Sequence, residues 1–206
     1  MDQDTTTLKF WHGAQRWTGF PELRPSRPNC YECGPGIYLS NRNSTARKYA
    51  KGGGQVVLIE LDPSVVLLEE SYLTLDEMLE GLASLPRVRG RKEIQAGLRK
   101  SAQRHPDGRM PADYLMNYCV NYESLGGASG PALARWYTDK GIDASVYSRP
   151  GGEDWVVVFN PRKITHSRVF SANDAFEVGD FEGLKEQKKK LTQSHPSVLQ
   201  SVSPGL

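Results

Sequence analysis

The spacing of apolar positions changes several times along the chain, and each change marks an element. Leu8-Lys9-Phe10-Trp11-His12-Gly13 predicts a short strand that ends at a glycine. From Phe20 to Gly36 Pro, Arg, Gly and Cys accumulate without a sustained period, which predicts a loop. Gly36–Ser40 predicts a second strand, and Ser44–Ala50 a short helix ended by Gly52-Gly53-Gly54. Gln55–Pro63 is β-branched and nearly continuously apolar, the pattern of a strand covered on both faces.

The middle of the chain changes to a helical period. Thr74-Leu75-Asp76-Glu77 has the form of a capping box, in which the threonine accepts from an amide three residues on and the glutamate reaches back. Met78, Leu79, Leu82 and Leu85 follow at helical spacing. Further helices are predicted over Arg91–Arg104, over Pro111–Tyr122 with proline in the first turn, and over Pro131–Lys140 with Gly141 as the stop. Ile142–Tyr147 and Trp155–Phe159 read as strands joined by the turn Arg149-Pro150-Gly151-Gly152. From Ser171 onward the periodic signal fades, and a flexible tail over 171–206 is predicted, disordered or loosely helical from Glu182. Strands at both ends and helices between them predict an α+β chain rather than a βαβ alternation.

Composition narrows the class. The chain has 206 residues, enough for one sizeable core without metal or disulfide staples. No apolar run approaches the ~20 residues of a membrane helix. The acidic, polar start lacks the order of a secretion signal, and three cysteines do not make a disulfide scaffold. A reducing, cytoplasmic setting without membrane contact is therefore expected. With 26 basic and 24 acidic side chains, a strong global attraction to nucleic acid is excluded, though not a local one. The basic stretch Arg87, Arg89, Arg91, Lys92, Arg99, Lys100 and Arg104 reads as a solvated helix face, with docking of nucleic acid or an acidic protein as the alternative. Cys30 and Cys33 have zinc-knuckle spacing, but no second paired motif completes four ligands, so no metal is expected.

The candidate chemistry lies in four features taken in order: Trp11-His12-Gly13, Gly36-Ile37-Tyr38, Tyr49, and the carboxylates Glu153 and Asp154. A histidine at a strand end can donate and accept at a ribose hydroxyl, and the adjoining glycine lets a flat ring come close. Two tyrosines offer faces to a planar heteroaromatic group. A carboxylate facing them can stabilise an oxocarbenium-like sugar. Together they suit cleavage of a nucleotide's glycosidic bond.

In these residues the chain resembles ADP-ribosyltransferases of the histidine–tyrosine–glutamate type, particularly phage and bacterial effector members. His12-Gly13, Gly36-Ile37-Tyr38 and Tyr49, eleven residues after Tyr38, carry the likeness, with Gln55–Pro63 and Lys140–Ile164 as matching strands. The resemblance implies a single domain over residues 1–170. Two small sheets would flank an NAD cleft, and a helical insertion would lie at about 71–130. It implies an NAD-dependent mono-ADP-ribosyltransferase acting on a protein target. The alternatives are an inactive module that keeps the fold, or a member that modifies nucleic acid. His12 would hold NAD through ribose and Gly13 through the carboxamide. Tyr38 and Tyr49 would frame nicotinamide, with Ser40 in the same cofactor-binding set. His12, Tyr38 and a carboxylate would form the catalytic set. Ala46 stands where the polymerases of the family carry a hydroxyl. Aligned without a gap, the family glutamate falls on Trp155. A one-residue bulge moves it to Asp154, the favoured residue, whereas strand alternation puts Glu153 on the Trp155 face.

Overall fold

A computed structural model describes residues 7–25 and 32–194. The protein is mixed α+β, built on a six-stranded antiparallel sheet. Its strands are β1 (Leu8–Ala14), β2 (Ile37–Ser40), β3 (Gln55–Leu61), β6 (Ala144–Arg149), β7 (Glu153–Val158) and β8 (Ile164–Phe170), in the spatial order β6-β7-β2-β1-β3-β8. A separate small ladder pairs β4 (Tyr72–Thr74) with β5 (Arg109–Pro111). Seven α-helices are described: α1 (Asn43–Tyr49), α2 (Leu75–Ser84), α3 (Arg91–Ala102), α4 (Asp113–Asn121), α5 (Ser129–Asp139), α6 (Ala172–Val178) and α7 (Leu184–Ser194).

The sheet has a seam. β1 pairs with β3 along its whole length, and β2 with β7 along its whole length. Between β1 and β2 a single registered pair remains, Trp11 with Ser40. Two three-stranded halves therefore meet at one point, and everything near that point must be held by side chains.

Alternation explains how each face is covered. On one face Leu8, Phe10, Ile37, Leu39, Val156 and Val158 share a core with Leu184 and Leu191 of α7. On the other, Trp155, Val157 and Phe159 pack into the core of α2–α5. The continuous valine run of β7 is thus a strand buried on both sides. The capping box of α2 is formed as the sequence implies: Glu77 donates its amide to Thr74 Oγ1 at 3.2 Å, and the Thr74 amide donates to Glu77 Oε2 at 2.8 Å.

Several expectations change. The helical layer extends past residue 130, because α5 joins the core of α2–α4. Pro111 closes β5 and stands ahead of α4, which starts at Asp113. Arg91 is not a solvated cation: it donates to the carbonyls of Leu82 and Leu85 at 2.7 and 2.8 Å and staples the end of α2. Arg89 pairs with Glu123, whereas Lys92, Arg99, Lys100 and Arg104 have no partner among the described residues.

The largest correction concerns the tail. Residues 171–194 are not a flexible extension; they form α6 and α7. Ala175 and Leu184 are fully buried and Leu191 nearly so. The Gln187 amide group brackets the backbone of Lys9, accepting from its N–H at 2.7 Å and donating to its carbonyl at 3.0 Å. Residues 195–206 of the expected tail, like Cys30, lie outside the described residues. Cys33 and Cys119 are buried free thiols. No described helix is long and apolar enough to cross a membrane, and no described group of three or more His, Cys, Asp or Glu side chains is placed to hold a metal ion.

Candidate active site

Where β1 and β2 part, α1 crosses the opening and a cleft remains beneath it. The cavity has a volume of about 370 Å³, within the range of small-ligand sites. Gly13, Tyr38, Ser40 and Tyr49 line it together with Thr45, Ala46 and Trp155. Four residues singled out in the sequence are thus brought together. Gly13 is there because no side chain fits. A Cβ would overlap the Ala46 carbonyl oxygen and stand 2.8 Å from its carbon and 2.9 Å from Tyr49 Cβ.

The walls are aromatic. Tyr38 donates its hydroxyl to the Gly34 carbonyl at 2.6 Å and accepts from the Cys33 amide at 3.2 Å, which locks its ring. Burial pushes its phenol well above the usual range, so it stays protonated. Tyr49 is 56% exposed at the mouth. Both rings stand edge-on to the Trp155 indole, with centroids at 6.5 and 6.4 Å. The Arg149 guanidinium lies 3.6 Å above that indole and 3.8 Å from Glu32.

His12 is not one of the cavity-lining residues. Alternation turns its side chain to the face opposite Gly13. There Nδ1 lies 2.8 Å from the Tyr38 carbonyl, and the ring meets Trp17 edge-on at 5.2 Å. A carbonyl only accepts, so Nδ1 carries the proton and Nε2 offers a lone pair. Burial lowers the imidazole pKa below its usual value, although the bond to Tyr38 opposes the shift; the ring is neutral at pH 7. The imidazole bridges β1 to β2 where the strand register has run out.

The carboxylates divide sharply. β7 pairs with β2 and with β6 in unbroken register, so the bulge invoked for Asp154 is absent. Asp154 is buried away from the cleft and fully engaged. Its Oδ2 accepts from the Leu184 amide at 2.7 Å, at the first residue of α7, and its Oδ1 accepts from Ser148 at 2.7 Å. It anchors the start of that helix, a favourable place for a negative charge. Glu153 is not itself a cavity-lining residue, but it stands directly behind the cleft wall. Its Oε1 accepts from Thr45 Oγ1 at 2.6 Å, Trp155 Nε1 at 2.7 Å and Ser40 Oγ at 2.9 Å, all three donors belonging to cavity-lining residues. Burial raises the carboxyl pKa, but these three bonds and the Arg149 charge outweigh it, and the net shift is downward. The Ser40 hydroxyl is therefore committed to Glu153, and it also accepts from the Arg42 amide at 3.0 Å.

Thr45, Trp155 and Arg149 were not singled out as site residues in the sequence. The one available signal was alternation along β7, which aligns Glu153 with Trp155; nothing in the pattern marked Thr45.

Compared with protein-family models, curated proteins and solved structures, the chain matches none of them. Its fold and site define a class no finer than an α+β protein with an aromatic cleft beside a charged, triply hydrogen-bonded carboxylate.

Proposed function

We propose that the protein is an NAD-dependent mono-ADP-ribosyltransferase that modifies a protein target. The observation that carries the reading is the convergence of Gly13, Tyr38, Tyr49 and the Glu153 clamp on one cleft at the seam of the sheet. Nicotinamide sits between the two tyrosine rings. The nicotinamide–ribose bond breaks with its electron pair leaving on the nicotinamide nitrogen, and the ribose carbon becomes electron-poor. Glu153, ionised at neutral pH, stabilises that cationic carbon. The acceptor side chain then forms the new bond to it and releases a proton. His12, turned to the opposite face, supports the cleft by tying β1 to the Tyr38 backbone rather than by touching NAD.

Incubation with NAD should release nicotinamide and label protein. Glu153→Gln should lower the rate about 10²- to 10³-fold. Asp154→Asn should keep the chemistry per folded molecule and lose stability instead. A saturating ligand, about a hundredfold over Kd, adds about 2.7 kcal/mol, and Tyr49→Ala should abolish most of the resulting NAD-induced rise in melting temperature. The absence of both nicotinamide release and any NAD-induced shift would overturn the reading.

A further inference from the structure

Glu153 opens β7 directly after Gly151 and Gly152, which have φ values of 85° and 75°. A flexible side chain leaving such a turn has no backbone reason to keep one rotamer. Three donors hold it, but they are not equivalent. The hydroxyls of Ser40 and Thr45 can rotate their protons to another acceptor, including one on an incoming ligand. The Trp155 indole N–H has a fixed direction and can only donate. The indole itself is immobilised: it is 8% exposed, meets Tyr38 and Tyr49 edge-on, and carries Arg149 on its face. All three donors bind the same oxygen, and Oε2 accepts no hydrogen bond from the described residues.

We propose that Trp155 is the positioning residue of the cleft, its rigid indole N–H pinning Glu153 Oε1 so that Oε2 alone is offered to the reacting centre. This rests on the transferase reading above. The ring that contacts both tyrosines is also the ring that aims the carboxylate. Binding of a planar group between the tyrosines and the placing of the charge are thereby coupled through one side chain. The charged and titratable groups that act on the carboxylate are Arg149 from β6 and Tyr49 from α1, while Glu32 and Cys33, from the loop before β2, act on Tyr49.

Trp155→Phe keeps a ring for Arg149 and the tyrosines but removes the N–H. Two or three hydrogen bonds to a carboxylate depress its pKa by about two units, so losing one should raise the Glu153 titration by roughly 0.5 to 1 unit. That titration is read by carbon NMR of the side-chain carboxyl, assigned with Glu153→Gln. The kcat for nicotinamide release should fall about tenfold, its acid limb moving with the carboxyl, while KM for NAD stays within about threefold. In the wild-type protein the Trp155 indole N–H resonance should shift with the same midpoint as the Glu153 carboxyl, which decides the matter even if the variant does not fold. An indole resonance indifferent to that ionisation, an unmoved carboxyl titration in Trp155→Phe, or a moved titration with unchanged kcat would each overturn the proposal. A wild-type protein that shows neither nicotinamide release nor an NAD-induced shift overturns the transferase reading instead, and the two titrations still report whether the clamp exists.

Discussion

Cutting the chain after Gly183 removes α7 and three kinds of attachment with it. Leu184, fully buried, and Leu191, 8% exposed, leave the core they share with Leu8, Phe10, Leu39 and Val57. Burying a leucine contributes about 1.5–3 kcal/mol, so the pair accounts for roughly 3–6 kcal/mol. Asp154 Oδ2, inside the protein, loses the Leu184 amide, and an acceptor left without its donor costs about 1–3 kcal/mol. The Gln187 bracket on Lys9 goes as well. The sum, about 4–9 kcal/mol, rivals the roughly 5–15 kcal/mol by which a whole domain is stable. At about 2–4 °C per kcal/mol for a chain of this size, the melting temperature should drop by at least about 8 °C. Calorimetry should compare the chain ending at Gly183 with one ending at Ser194, so that α7 is the sole difference. A melting temperature within about 3 °C for the two chains would refute the reasoning and return the segment to the status of a tail.

Gly13→Ala should force α1 off β1, because the new carbon collides with backbone at Ala46 rather than with a movable side-chain end. Overpacking of that kind costs about 1–3 kcal/mol; a loss of less than about 2 °C in a thermal melt would show that α1 yields freely. The neutral imidazole of His12 makes stability depend on acidity. Its folded pKa lies below the ordinary histidine value, so the unfolded chain binds more protons and stability falls as pH drops from about 7.5 through the unfolded pKa near 6.5. His12→Gln should flatten the melting temperature between pH 7.5 and 5.5, and an unchanged slope would assign the effect to other groups.

The parts of the fold legible in the sequence were those whose signal is local. The capping box at Thr74 and Glu77, the glycine stop after α1 and the buried valine run of β7 each act within a few residues, and each stands where expected. α7 was illegible because it anchors itself with two leucines a full seven residues apart, supplemented by polar contacts from Gln187 and Lys188 to distant backbone. Such a helix has little apolar periodicity to detect. β8 was missed for a related reason: it is an edge strand whose Thr165, His166 and Arg168 face solvent, so its composition resembles a loop. At the site, Gly13, Tyr38 and Tyr49 could be placed by order and spacing. Choosing between Glu153 and Asp154 required the register of β7, and the extra valine suggested a bulge that the pairing does not contain. Thr45 acts through a bond to a residue over a hundred positions away, information that no local window holds.

The single registered pair between β1 and β2 bears on the order in which the molecule can be completed during synthesis. α7 reaches both halves of the sheet, gripping β1 through Lys9 and β7 through Asp154, and so works as a clasp across the seam. Chains emerge from the ribosome N-terminus first. The tyrosines and Gly13 therefore emerge first, Glu153 joins them later, and the clasp that holds the two halves in register follows Glu153. A nascent or prematurely terminated chain carries the aromatic half of the cleft without a fixed carboxylate opposite it. The cleft is complete only once α7 has followed β7 and closed on it, and a proteolytic nick near Gly183 would return the molecule to its unfinished condition.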